Sequence, residues 1–262
     1  MSPQLRRLFI TTGAVLSLLF FAIFCLVLVF LARHTWATGE DVFTFPRTGC
    51  LAVIGCTALF SVAGGFGFRR LFRRTSSLEI FFFLAFIISL SCDALKILSY
   101  YFVVIHLPAF YGVLVTRAVY LGFFLGLSFL FTGSIFSGEL IYQKLGTVLG
   151  LALVFSLVLV YSLPIDATVF QPNMLYRAGG ENYIFLVRFG LEALTVLSFV
   201  RSAYLAGSVQ ELFICLAVFL MITGRELIFF LTEPLAIATG FVLLAGGAIL
   251  FSRRIYEKHL WS

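Results

Sequence analysis

The chain has 262 residues, of which 61% are hydrophobic and only 11% charged, with 33 Phe and a formal net charge of +6. A water-soluble domain is roughly 45–50% apolar and about 25% charged, so an ordinary soluble fold is excluded. The positive balance needs no nucleic acid to explain it, because the basic residues follow a membrane pattern.

A helix needs about 20 apolar residues to cross the roughly 30 Å hydrocarbon core. Eight stretches meet or nearly meet that length: 8–32, 49–68, 78–105, 109–133, 147–164, 183–205, 211–231 and 235–252. The expected fold is therefore all-α, a polytopic membrane bundle of eight transmembrane helices forming one integral membrane domain over 1–262. Arg6 and Arg7 before the first stretch imitate a signal peptide. The apolar run is longer than the roughly 7–15 residues of a signal sequence, and Leu31-Ala32-Arg33-His34 lacks a small-x-small cleavage site, so a retained helix is expected. Only Thr232-Glu233-Pro234 separates the last two spans. The proline suits the opening of a new helix; merging the two would leave seven spans.

With eight spans and the N-terminus inside, eleven bases fall on cytoplasmic segments: Arg6, Arg7, Arg69, Arg70, Arg73, Arg74, Lys144, Arg201, Arg253, Arg254 and Lys258. Three fall outside: Arg33, Arg47 and Arg177. This positive-inside bias predicts both termini cytoplasmic. The clusters at 69–74 and 253–258 are expected to sit against anionic inner-leaflet lipids. Tyr100, Tyr101, Tyr111, Tyr142, Tyr161, Tyr183, Tyr204 and Tyr256 fall near helix ends, where interfacial aromatics belong.

Of the outer loops, only 33–48 and 165–182 have any size. The first carries Glu40 and Asp41; the second contains Pro172, Asn173 and Gly179-Gly180, which read as turns. The pairs Ala63/Gly67, Gly122/Gly126, Gly146/Gly150 and Ala236/Gly240 allow close helix approach, chiefly within the chain. Arg117 and Arg188 sit early in their spans, a faint echo that falls short of a transporter's inverted repeat.

Ionisable groups at bilayer depth cost about 2.5–3.5 kcal/mol each and are functional candidates by default. They are Asp93, Lys96, Arg117, Arg188, Glu192, Arg225 and Glu226. At about 1.5 Å per residue, Asp93 lies roughly 18 Å from the outer helix ends, Lys96 and Glu192 about 14 Å, Arg117 about 12 Å and the rest about 8 Å. All seven thus occupy the outer half or the midplane. Asp93/Lys96 and Arg188/Glu192 share helix faces and are expected to pair locally; Arg117 needs a partner elsewhere, with Asp93 and Glu192 at suitable depth. Four bases and three acids leave one cation over, which favours an anionic ligand in an outward cavity. Against this stand two bland readings. Arg188, Arg225 and Glu226 are shallow enough to snorkel to the interface, and the deeper four would serve as a buried network that fixes registry.

No metal or cofactor is indicated. Cys25, Cys50, Cys56, Cys92 and Cys215 form no C-x-x-C and read as packing residues. His34, His106 and His259 lie outside the spans. No H-E-x-x-H or phosphate-binding G-x-x-x-x-G-K-[ST] is present, and no serine has a nearby His base.

The outline of several spans, short loops and a basic exit at Ser252-Arg253-Arg254-Ile255-Tyr256 is similar, in hydropathy alone, to bacterial multi-helix sensor input domains. No output domain is expected. The leading expectation is a non-enzymatic sensor, binding or assembly protein of a bacterial cytoplasmic membrane. It would bind through the outward charged cluster and engage a cytoplasmic or membrane partner through its tail. The alternative is a small solute or proton-coupled transporter with Asp93, Lys96 and Arg117 at a midplane site.

Overall fold

The computed structural model describes residues 3–39, 42–71, 78–135 and 145–260; the expectations placed on Glu40, Asp41, Arg73, Arg74, Tyr142 and Lys144 lie outside these. Among the described residues there are eight helices long and apolar enough to cross a membrane, each close to its predicted stretch. They are α1 (Pro3–Thr38), α2 (Phe45–Leu71), a composite third span, α5 (Ala109–Ile135), α6 (Leu145–Ser162), α7 (Glu181–Ala206), α8 (Val209–Phe230) and α9 (Pro234–Leu260). The third span consists of α3 (Leu78–Ser89), a 3-10 segment (Leu90–Leu95) and α4 (Lys96–Val104).

The seven-span alternative fails at Leu231–Glu233, where the chain leaves the helix before Pro234 opens α9. The α8–α9 hairpin then closes tightly. A Cβ on Gly224 would meet the backbone of Gly240 and Leu244, and one on Gly247 would meet the carbonyl of Ala217. At the other turn, Gly207 ends α7 in the left-handed conformation, with φ 57°. Ser208 then caps α8 by accepting the amide of Gln210 at 3.2 Å.

The third span is the centre of the bundle. All of α3 except Ile88 is buried, and α1, α2 and α5 pack against it. A helix buried on nearly every side is surrounded by protein, with no broad face left for lipid. Its 3-10 interruption was not anticipated, although Ser89, Ser91, Cys92 and Asp93 mark it with polar groups. Hydroxyls bind the carbonyls leading into it: Ser89 Oγ donates to Phe86 O at 2.7 Å, Ser91 Oγ to Ile88 O at 2.7 Å, and Ser61 Oγ of α2 to Ile87 O at 2.7 Å. Irregular backbone survives at bilayer depth where protein groups satisfy it in this way.

The second sequence expectation to change is the loop 165–182. It forms an antiparallel hairpin, β1 (Ile165–Phe170) with β2 (Tyr176–Ala178), in the register Ile165↔Ala178, Asp166↔Arg177 and Phe170↔Tyr176. The turn plugs one end of the bundle. Asn173, Met174, Leu175 and Tyr176 are buried, the Tyr176 amide donates to Thr116 Oγ1 of α5 at 3.2 Å, and the Tyr176 ring lies where a Cβ on Gly112 would stand.

The same end holds the α8–α9 turn beside the start of α2, where Cys50 Sγ approaches Thr232 O at 3.8 Å. Tyr100, expected in an interfacial belt, is buried here. Its hydroxyl donates to Val42 O at 2.6 Å and accepts from Arg47 at 3.4 Å. At the tail, Arg253 and Arg254 both bind Glu257, at 3.2 and 2.8 Å, while Arg254 also lies 4.4 Å over the Phe213 ring.

Candidate functional site

The seven candidate ionisable residues separate into two adjoining clusters and one outlier. The deeper cluster forms around the 3-10 segment. Asp93 and Lys96 pair as expected, at 4.0 Å, both almost wholly buried. The Lys96 ammonium also sits 4.1 Å over the Phe229 ring of α8, whereas neither Asp93 oxygen has a hydrogen-bond partner.

Arg225 of α8 completes this cluster and overturns the expectation that it snorkels. It is 1% exposed. Its guanidinium donates to the Gly122 carbonyl of α5 at 2.9 Å and to Ser89 Oγ at 3.5 Å, between the rings of Phe86 and Phe123 at 5.3 and 4.9 Å. The Gly122/Gly126 pair explains the inward course. A Cβ on Gly126 would collide with the guanidinium, and one on Gly122 would collide with Cys92. The small residues therefore make room for a side chain as well as for a helix. By contrast, Gly67, Gly146 and Gly150 meet nothing within 4 Å.

The shallower cluster lies toward the hairpin end. Here the expected Arg188–Glu192 pairing along α7 gives way to a pairing between helices. Arg188 meets Glu226 of α8 at 3.2 Å, with both side chains about four-fifths buried. The Glu192 carboxyl lies beside that of Glu226, close enough for the two to interact, and one oxygen of each is buried without a hydrogen-bond partner. The Arg188 guanidinium also stacks on Phe230 at 4.1 Å, while its Nε is buried and unpartnered. Arg225 stands within electrostatic reach of Asp93 on one side and of Glu192 and Glu226 on the other, so it joins the two clusters.

A cleft of about 350 Å³ opens at Arg188. Its walls come from α5 (Tyr120), the hairpin (Gln171), α7 (Asn182, Phe185) and α8 (Phe230). A small-molecule site is typically about 300–1,000 Å³, mostly apolar, with a few converging polar groups. Arg188, Gln171 and Asn182 supply that polarity; three aromatic rings supply the apolar wall. The sequence marked Arg188 alone among these, since the other groups gather only once the hairpin folds back over α5 and α7.

Arg117 stands apart. It lies 5.4 Å over the Tyr161 ring of α6, and among the described residues it has no carboxylate within ion-pair distance. The expected meeting with Asp93 or Glu192 does not form. On α5 it is Thr116, Val119 and Tyr120 that are buried, which turns the neighbouring Arg117 toward α6. Among the described residues no three His, Cys, Asp or Glu side chains gather as metal ligands. In comparisons with known proteins, no family model, curated protein or solved structure matches this chain.

Proposed function

We propose that this multi-pass chain is a membrane binding protein whose hairpin-end cleft takes an amphipathic anion, with a carboxylate, sulfonate or phosphate head on Arg188 and an apolar body against the aromatic wall. The observation that carries this reading is the largely buried guanidinium of Arg188 lining a cleft of suitable size. An arginine fork matches a planar or tetrahedral oxyanion better than an ammonium does. The basic-residue count argues that this end faces outward and that both termini are cytoplasmic. Ligand binding at Arg188 and Glu226 would then reach the cytoplasmic tail along the close-packed α8–α9 hairpin, where a partner or anionic lipid is met.

The test is saturable binding of benzenesulfonate, an aromatic monoanion, to the protein in phosphatidylcholine nanodiscs, with phosphatidylglycerol nanodiscs as the lipid-headgroup arm. Binding that disappears in Arg188→Gln supports the reading. If the free anion binds only in the phosphatidylcholine discs, an anionic lipid has displaced it and is the ligand. Absence of saturable benzenesulfonate binding, with no enrichment of phosphatidylglycerol around the protein, overturns it.

One observation favours a second reading, a carrier working at Asp93 and Lys96, with Arg117 apart from them: the third span loses its α-helical form around Asp93, as discontinuous helices do at transporter sites. Asp93→Asn should then abolish solute flux in proteoliposomes while the protein stays folded. Unchanged flux across a solute panel removes this reading.

A further inference from the structure

The Arg188 cation is not simply available to a ligand, because it is already held by Glu226, and Glu226 in turn contacts Glu192. Two carboxyl groups side by side in a largely buried site are costly when both are ionised, so the pair holds one proton between them. Two such groups in contact titrate as a pair rather than singly. With that proton in place, Arg188 and the pair sum to zero charge in a largely buried site. An arriving monoanion would make the site negative. In surroundings of low polarity an unpaired buried charge is costly and is neutralised by proton binding instead.

We infer that the Glu192–Glu226 carboxyl pair is a proton-binding site linked to the cleft, so that an anion capturing Arg188 and a proton taken up by the pair bind together. This rests on the anion-binding reading of the cleft and adds its regulation. The balance is simple: the anion replaces Glu226 as the counter-charge of Arg188, one solvent proton neutralises the released carboxylate, and the site returns to zero.

The surrounding charges leave this role to the pair. On its own helices the pair faces Arg188 from α7 and Arg225 from α8. Arg225 is already committed to Gly122 O and Ser89, with Asp93 and Lys96 beyond it. From α5, Tyr120 lines the cleft, and Arg117 is turned to Tyr161. On α9, Arg253, Arg254 and Glu257 form their own cluster beside Phe213, near the opposite end of α8.

The experiment is calorimetric titration of the full chain in phosphatidylcholine nanodiscs with benzenesulfonate, which stays ionised between about pH 5 and 8. Each titration is run in two buffers of different ionisation heat, so that proton uptake is counted directly. The expected result is uptake approaching one proton per anion, with affinity falling about tenfold per pH unit on the alkaline side. Glu192→Gln/Glu226→Gln should bind the anion more tightly, without proton uptake or pH dependence. The proton count on the unaltered protein decides the matter even if that variant does not fold. Binding that needs Arg188 yet takes up no proton overturns the inference and leaves the cleft reading standing. Absence of binding at every pH overturns the cleft reading and the inference with it.

Discussion

The guanidinium of Arg225 occupies the space over Gly126 that any side chain there would fill. A charge on α8 is thereby seated against α5, hydrogen-bonded one turn away to Gly122. Gly126→Ala should therefore displace Arg225 and overpack the contact, costing about 1–3 kcal/mol. Gly150→Ala, with open space around it, should change stability by less than about 0.5 kcal/mol. Thermal unfolding of both variants in the same detergent makes the comparison.

Removing the cation should cost more than crowding it. Arg225→Met leaves Asp93 with Lys96 alone at 4.0 Å, a loss of about 3–5 kcal/mol for breaking a buried charge cluster. Arg225→Lys should not restore it, because one ammonium lacks the planar fork that reaches both Gly122 O and Ser89 Oγ. Asp93→Asn should cost less in the Arg225→Met background, where it strands Lys96 alone, than in the unaltered protein, where it strands both cations, and the non-additivity of the double-mutant cycle measures the coupling. Strict additivity would mean that the two groups do not interact.

A buried polar contact ties the hairpin plug to α5. Thr116→Val removes the acceptor of the buried Tyr176 amide, at a cost of about 1–3 kcal/mol. Amide exchange at Tyr176 and Leu175 should accelerate while α8 and α9 remain protected. Gly112→Ala should have the same local signature, by driving the Tyr176 ring outward.

At the base of that hairpin Asp166 accepts from the Thr168 hydroxyl at 2.6 Å and from its amide at 2.9 Å. These bonds, followed by the nearby Arg177 charge, favour the carboxylate and hold its pKa below the ordinary 3.8. The sign follows from the depressed value: the contribution to the turn is present above pH 3.8 and is lost as pH falls through the lower folded value. Thr168→Val should move the Asp166 pKa back toward 3.8, read from its carboxyl carbon shift against pH. No movement would mean that the side-chain bond does not set the value.

Number and position of the spans were legible from hydropathy, because lipid imposes length and apolarity on each helix independently. The Asp93–Lys96 pair was legible for a similar reason, since three residues of helix fix its geometry. Relations between helices were not. Arg188 had a good partner at Glu192 by spacing, but the choice of Glu226 depends on how α7 and α8 pack. Arg225 looked shallow when counted from its helix end; only the cavity made by Gly122 and Gly126 turns it inward. The hairpin was not legible because β1 buries no face of its own, and the residues that bury together, Asn173 through Tyr176, lie in the turn and at the start of β2, where packing against α5 covers them.

The encirclement of the third span bears on biosynthesis. Asp93 and Lys96 are translated well before Arg225 and Phe229, which complete their surroundings. A nascent chain with only its first three hydrophobic segments would therefore present a charged, serine-rich segment to lipid. Such a segment has to wait beside the insertion machinery, or against α1 and α2, until the α8–α9 hairpin arrives. Chains truncated before residue 209 should accordingly be prime targets for membrane quality-control proteases.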